Sequence, residues 1–358
     1  MIQVSSPGKL YLAGEYAILS PGSQAIAVAV DRFLTVTLTP VDTIGTLETE
    51  LADSMICWRW ESRQIVSAQK DTFALVFSVM DVMARYTEQY DHFQIHIISE
   101  LAAKNGVKLG LGSSGAVTVA LVRALGQHYG LWGADPTDQE RQLLFKLAAL
   151  AQHQAGYQGS YGDLATIAYT GVVRYQNFDH TYLQTMPQET GPVFQNWLNE
   201  SCPTLQIERL QFPDQWEFLV AWMQEAVSTD QLIQSEVSSH KQNKAFQTLI
   251  QQSKAVIPML VQGIQTADWE RVDQALQTNA KDLMNYTETV NKPYQTSQTK
   301  QATALAHTLH ASSKISGAGG GDCVIALTRD FKTATDVQTL WQAHQLIPLP
   351  LSIYTERT

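Results

Sequence analysis

Apolar and polar residues alternate in short pieces at the start of the chain, over residues 2–6, 10–13 and 33–39, with Pro7-Gly8 and Pro21-Gly22 as punctuation. That period of two predicts β-structure interrupted by turns. Between 70 and 90 the period changes: Phe73, Val76, Phe77, Met80 and Met83 recur at helical spacing, and Phe93, Ile95 and Ile97 then alternate as a strand over 92–99. A loop over 100–109 leads into a glycine-rich segment. Val117, Ala120, Leu121, Ala124 and Leu125 mark a helix over 114–128, and a second follows over 139–153. Residues 177–212 contain Pro187, Gly191-Pro192 and Pro203 and keep no period, so a domain boundary is expected there, with domains at 1–185 and 205–358. The pattern then resumes with a strand over 216–223. Helices follow at about 230–263, interrupted near 240–243, and at 267–286 and 298–310. A second glycine segment at 314–321, a strand over 323–328, a helix around 331–344 and a last strand near 349–354 complete the chain. Strands and helices segregate rather than alternate, which predicts an α+β fold.

Composition narrows the setting. A chain of 358 residues is long for one core and short for three, so two domains sharing a cleft are expected. No apolar run is long enough to span a membrane, and residues 1–16, with Lys9 and Glu15 among short apolar stretches, do not resemble a signal peptide. A soluble, cytoplasmic protein is expected. The net charge of -10 argues against nucleic acid and anionic membrane as partners. Cys57, Cys202 and Cys323 are odd in number, far apart and in no metal-ligand spacing, as suits small buried hydrophobes in a reducing compartment.

The candidate chemistry lies in the glycines. In Gly110-Leu111-Gly112-Ser113-Ser114-Gly115 the glycines let backbone amides approach a ligand, and Ser113 and Ser114 add hydroxyls where a helix begins. An anion belongs at such a helix start, and Ser114 could also offer its oxygen to a phosphate-bound Mg²⁺. The same six residues fit the dinucleotide fingerprint Gly-x-Gly-x-x-Gly. Here, however, a loop separates them from the preceding strand and about a hundred residues come before them, and no lysine follows to make a Walker A motif. A glycine-rich turn that merely caps a helix is the plainer alternative. A second cluster, Lys314-Ile315-Ser316-Gly317-Ala318-Gly319-Gly320-Gly321-Asp322, runs into an apolar strand, and the two clusters suggest two walls of one anion site.

Three segments in order, Pro7-Gly8-Lys9-Leu10-Tyr11-Leu12-Ala13-Gly14-Glu15-Tyr16, Gly110-Leu111-Gly112-Ser113-Ser114 and Ser316-Gly317-Ala318-Gly319-Gly320-Gly321-Asp322, resemble the motifs of the GHMP kinases. The resemblance implies an N-terminal ribosomal-S5-like domain, a C-terminal ferredoxin-like domain and an active site in the cleft between them. It also implies ATP and Mg²⁺ as cofactors. Gly-Glu-Tyr at 14–16, Lys108 before the glycine loop, and Gly159-Ser160-Tyr161-Gly162-Asp163-Leu164-Ala165 resemble the branch whose acceptor is phosphomevalonate. A sister enzyme phosphorylating a hydroxyl, a nucleotide-binding regulator without catalysis, and a dinucleotide oxidoreductase are the competing readings.

On this resemblance Lys9 bridges the transferring phosphoryl group and the acceptor, and Asp163 is the acidic residue beside it. A phosphate acceptor is already largely dianionic near neutral pH, so Asp163 has more reason to position Lys9 or the metal than to remove a proton. The nucleotide is expected on Gly110, Leu111, Gly112, Ser113, Ser114, Gly115, Gly317, Gly319 and Gly320. The acceptor is expected on Lys9, Tyr16, Lys108, Ser160, Ser228 and Gly319, and the metal on Ser114. Each residue also has an ordinary explanation: Lys9 and Lys108 as solvated charges, Ser160 in a turn, and Asp163 and Ser228 as helix caps. Several family members carry a metal-binding glutamate about eleven residues before the aspartate, and Gln152 stands at that place here.

Overall fold

In a computed structural model the described residues are 1–103, 107–224, 240–320 and 323–356. The chain opens with two long antiparallel strands, β1 (Ile2–Ala13) and β2 (Gln24–Val41). Pro7-Gly8, expected to separate two strands, lies inside β1. The register slips there, Pro7 facing Phe33 and Gly8 facing Val30, so the pair is a bulge that bends one strand rather than ending it. Strands β3 (Gly45–Thr49), β4 (Ile56–Glu61) and β5 (Gln64–Val66) follow, then helix α1 (Ala74–Thr87) and β6 (His92–Ser99). Trp58 and Arg59 on β4 alternate across the pleat, one buried and one exposed. The same pleat turns Cys57 to solvent, contrary to its expected burial.

Helices α2 (Ser113–His128), α3 (Asp138–Gln154) and α4 (Gly162–Tyr169) come next, followed by β7 (Val172–Gln176), α5 (Thr181–Gln184), α6 (Pro192–Asn199) and β8 (Gln206–Leu210). The first sheet has the order β5-β4-β3-β6-β2-β7-β8, with β1 also paired to β2. Among the described residues β3 and β6 pair in parallel, and the other pairs of this sheet are antiparallel. Because β8 joins this sheet, the sheet continues past residue 205. Helix α2 is buried nearly all round, with Val119, Leu121, Val122 and Ala124 inaccessible between the β1–β2 face and helices α1, α3 and α4. Its N-terminal end emerges at the edge of that layer.

The second unit is an antiparallel sheet in the order β10-β11-β9-β12, made of β9 (Glu217–Trp222), β10 (Ser312–Ser316), β11 (Cys323–Thr328) and β12 (Ile347–Leu349). Helices α7 (His240–Gln265), α8 (Trp269–Thr289), α9 (Ser297–Thr308) and α10 (Phe331–Ala343) accompany it. The final strand is shorter than expected because the chain leaves the sheet after Leu349. Ile353 then bridges to Val30, and Glu356 places its carboxylate between the buried guanidinium groups of Arg123 (2.8 Å) and Arg141 (2.6 Å). The C-terminal segment thereby straps the second unit to the first. Strands and helices form two α+β layers, as the periodicity predicts.

Candidate active site

The first glycine loop joins β1 directly: Lys9 N–H donates to the Leu111 carbonyl at 2.8 Å. Helix α2 begins after Gly112, which has φ +81° and supplies no side-chain cap, so among the described residues the first amides of α2 are left for an outside acceptor. Lys9 is half-buried and its stem crosses this glycine; a methyl on Gly112 would stand 2.9 Å from Lys9 Cε and 3.1 Å from Lys9 Cγ. One turn further on, a methyl at Gly115 would meet Asp163 Oδ2 at 2.6 Å. Glycine is what lets the carboxylate stand this close, in the space a side chain would fill.

Asp163 reaches that place from α4. It is not the cap of this helix: Tyr161, in the left-handed region at φ 59°, is the cap residue, and Asp163 lies in the first turn with its carboxylate across the start of α2. The starts of two helices thus converge, and Lys9 and Asp163 flank residues 112–115 from two sides. Asp163 also marks its neighbours electrostatically. Burial, with the Asp163 charge behind it, pushes the Tyr161 hydroxyl up to about 12, and the same two causes push Tyr11 higher still.

Tyr11 was missed in the sequence. It follows Lys9 by two residues and so shares its face of β1, with Lys9 Nζ 5.3 Å from the centre of its ring. Its hydroxyl packs over Gly162 and hydrogen-bonds Ser160. The period of two was the available signal. Ser160, expected on the acceptor, is buried; its carbonyl accepts from the Tyr175 hydroxyl at 2.6 Å and its hydroxyl from Gly162 N–H at 3.3 Å. Lys108 lies exposed on the return arm of a short ladder, opposite Ala102 and two residues before Gly110. Ser228 lies outside the described residues.

The second glycine loop comes against the first motif from the other unit. Tyr11 N–H donates to Ser316 Oγ at 2.9 Å, the Tyr16 hydroxyl donates to the Ala318 carbonyl at 2.7 Å, and Cys323 Sγ lies 3.2 Å from the Leu109 carbonyl. Gly317, Gly319 and Gly320 have φ between +81° and +84°. At Gly319 a side chain is excluded, since a methyl would collide with the Tyr294 ring and stand 2.8 Å from the Tyr294 carbonyl. Tyr16, expected on the acceptor, has its ring buried and its hydroxyl on Ala318; in the structure it braces this loop. The structure therefore brings together Lys9, residues 110–115, Ser160, Asp163 and residues 316–320 and leaves Lys108 at the exposed margin.

The model of the GHMP kinases N terminal domain matches residues 74–171 and that of the GHMP kinases C terminal matches residues 260–345, together more than half of the chain. The chain belongs to the GHMP kinases. Its two-domain architecture, ribosomal-S5-like then ferredoxin-like with a cleft between, is the one expected of this family. A curated phosphomevalonate kinase of Streptomyces sp. (strain CL190) is 29% identical, with 97% of this chain and 96% of the relative covered. A Listeria innocua protein of known structure is 28% identical with a TM-score of 0.86, covering 99% of this chain and 98% of that one. The structure of Streptococcus pneumoniae phosphomevalonate kinase in complex with phosphomevalonate and AMPPNP is 26% identical with a TM-score of 0.84, covering 99% and 100%. The start of α2, Lys9 and Asp163 bound one common space in this chain.

Proposed function

We propose that this GHMP kinase is a phosphomevalonate kinase, transferring the γ-phosphoryl group of ATP to the phosphate of (R)-5-phosphomevalonate to give 5-diphosphomevalonate and ADP. The observation that carries the reading is the convergence of Lys9 and Asp163 on the uncapped start of α2, in a chain similar along almost its whole length to phosphomevalonate kinases. Phosphoryl transfer needs donor and acceptor in line and the spreading negative charge compensated. The amides of 112–115 hold the donor phosphates, Lys9 lies between donor and acceptor, and Asp163 fixes Lys9 and the donor without needing to remove a proton. Lys108, two residues before the loop, supplies positive charge for the acceptor's own phosphate, with Ser160, Ser228 and Gly319 completing that wall.

Mg²⁺ enters with ATP. Ser114, on the first turn of α2, and Asp163, over the adjacent Gly115, are oxygen donors of the kind a hard cation takes, and a Mg²⁺ held by them would neutralise charge on the nucleotide's phosphates. Gln152 adds no charge to this set; its amide donates to Thr118 Oγ1 at 3.4 Å, and the Thr118 hydroxyl donates to the Ser114 carbonyl at 2.7 Å. Gln152 thus supports the loop from beneath. We propose that the reaction runs in the cytoplasm, a reading supported by three cysteines that are odd in number and far apart in the sequence. No described helix is long and apolar enough to cross a membrane.

The test is ADP release by the purified protein with ATP, Mg²⁺ and each of phosphomevalonate, mevalonate and homoserine. Turnover with phosphomevalonate alone is expected. Turnover with mevalonate and none with phosphomevalonate would replace the proposed acceptor by a hydroxyl, and ATP binding with no turnover on any of the three would remove the kinase reading.

A further inference from the structure

Lys314 stands in the middle of β10, every residue of which is buried, and its side chain is 0% exposed. Its partner is Glu15, 3% exposed, in the turn that follows β1. Lys314 Nζ donates to Glu15 Oε1 and, at 2.7 Å, to the Ile315 carbonyl. The same Glu15 oxygen accepts from Gly317 N–H at 3.3 Å. A buried ion pair is a poor way to gain stability, because hydrophobic side chains of similar volume in its place are often neutral or better. Stability alone does not account for this one.

Its position in the chain does. Glu15 belongs to the first motif and Gly317 to the second glycine loop, 302 residues apart. The other ties of that loop fix its flanks: Ser316 to Tyr11, Ala318 through its carbonyl to Tyr16, and Gly320 N–H to the Tyr294 carbonyl at 3.0 Å. Two amides between these ties, those of Ala318 and Gly319, have no protein acceptor among the described residues. Glu15 takes the amide immediately before them. Were Gly317 N–H released, the peptide planes on either side could rotate about glycine and carry the next two amides with them.

Resting on the kinase reading above, we propose that Glu15 is a positioning residue for phosphoryl transfer: by holding Gly317 N–H it aims the Ala318 and Gly319 amides at the phosphates in the cleft. Lys314 supplies the counter-charge that lets a carboxylate serve there away from water. Burial pulls the Lys314 ammonium below its ordinary pKa and the Glu15 carboxylate opposes that pull, as a pair held for its geometry requires.

The experiment separates the acceptor from the charge. In E15Q/K314M the pair is neutral but the Gln carbonyl still accepts from Gly317 N–H; in E15L/K314M the pair is equally neutral and the acceptor is gone. Both should melt within a few degrees of each other. kcat of E15Q/K314M should stay within about fivefold of the parent, while that of E15L/K314M should fall by roughly a hundredfold, the scale of losing one oriented amide donor. Equal kcat in the two double variants would overturn the proposal. The single variant E15Q keeps the acceptor and leaves Lys314 unpaired, so it should lose thermal stability with kcat changed by less than about threefold; lost kcat at unchanged melting temperature would overturn it too. AMPPNP affinity, measured by calorimetry on the same variants, should be more than about tenfold weaker in E15L/K314M than in E15Q/K314M. That readout needs no acceptor, so a parent protein that binds AMPPNP but ignores phosphomevalonate would sink the acceptor assignment and still leave the role of Glu15 decidable.

Discussion

Gly115→Ala separates the stability of this protein from its chemistry. The added methyl would lie 2.6 Å from Asp163 Oδ2, 3.2 Å from Asp163 Cγ and 2.9 Å from Ile167 Cδ1. An ordinary contact requires the carboxylate oxygen to retreat by about 0.8 Å. All three atoms belong to side chains, and Asp163 can turn about χ1 and χ2 at a cost of about 1 kcal/mol. Alanine in place of glycine on a helix returns up to about 1 kcal/mol. The two terms nearly cancel, so the melting temperature should move by no more than a few degrees. Turnover does not share this compensation. A displacement approaching 1 Å at a group that positions the reacting atoms costs about a hundredfold in rate, or about 2.7 kcal/mol in the barrier. Steady-state ADP release with ATP and phosphomevalonate, read beside a thermal melt of the same sample, is the assay. An unchanged kcat would show that the placement of Asp163 over Gly115 does not matter to the reaction. Parallel loss of kcat and of melting temperature by ten degrees or more would show a packing role instead.

Lys9→Met keeps the stem that crosses Gly112 and removes the charge; kcat should fall by about 10²–10³-fold while AMPPNP affinity by calorimetry changes by less than about threefold. Lys108→Ala should raise KM for phosphomevalonate by about tenfold with kcat within twofold, and added salt should narrow the difference, because Lys108 is exposed and acts through charge. Glu356→Gln tests the C-terminal strap. Burial raises the Glu356 carboxyl, but Arg123 and Arg141 together outweigh it and hold the group below its ordinary value. A carboxylate so depressed stabilises the fold above its unfolded pKa and loses that contribution as pH falls through its folded pKa. Urea denaturation at pH 7 should therefore show Glu356→Gln less stable by about 3 kcal/mol, with the gap closing as pH falls below the carboxylate range; a gap independent of pH would refute the ionic strap.

The local order of this chain was legible because it is written in period. The helices after 70, 114 and 139 and the strand at 92–99 each carry their own repeat, the strand at 323–328 is a short apolar run, and the loops at 110–115 and 316–320 announce themselves by glycine. Residues 177–212 hid α5, α6 and β8 because short elements bounded by proline give too few turns for a period to emerge, and their pairing with β7 and α1 is what holds them. Ser160 and Tyr16 were legible as members of motifs, but not the bonds that bury them.

Sequence by itself determined which residues could hold a phosphate: the amides of two glycine loops, a lysine after Pro-Gly, an aspartate at a helix start. Only the tertiary structure decided how they meet. It set Lys9 across Gly112 and Asp163 across Gly115, and pinned the second loop to the first motif through Glu15 and Lys314. The reason is distance along the chain. Periodicity and turn chemistry act over a few residues, whereas these contacts join positions from about fifty to three hundred residues apart, and the packing of two separate sheets brings them together.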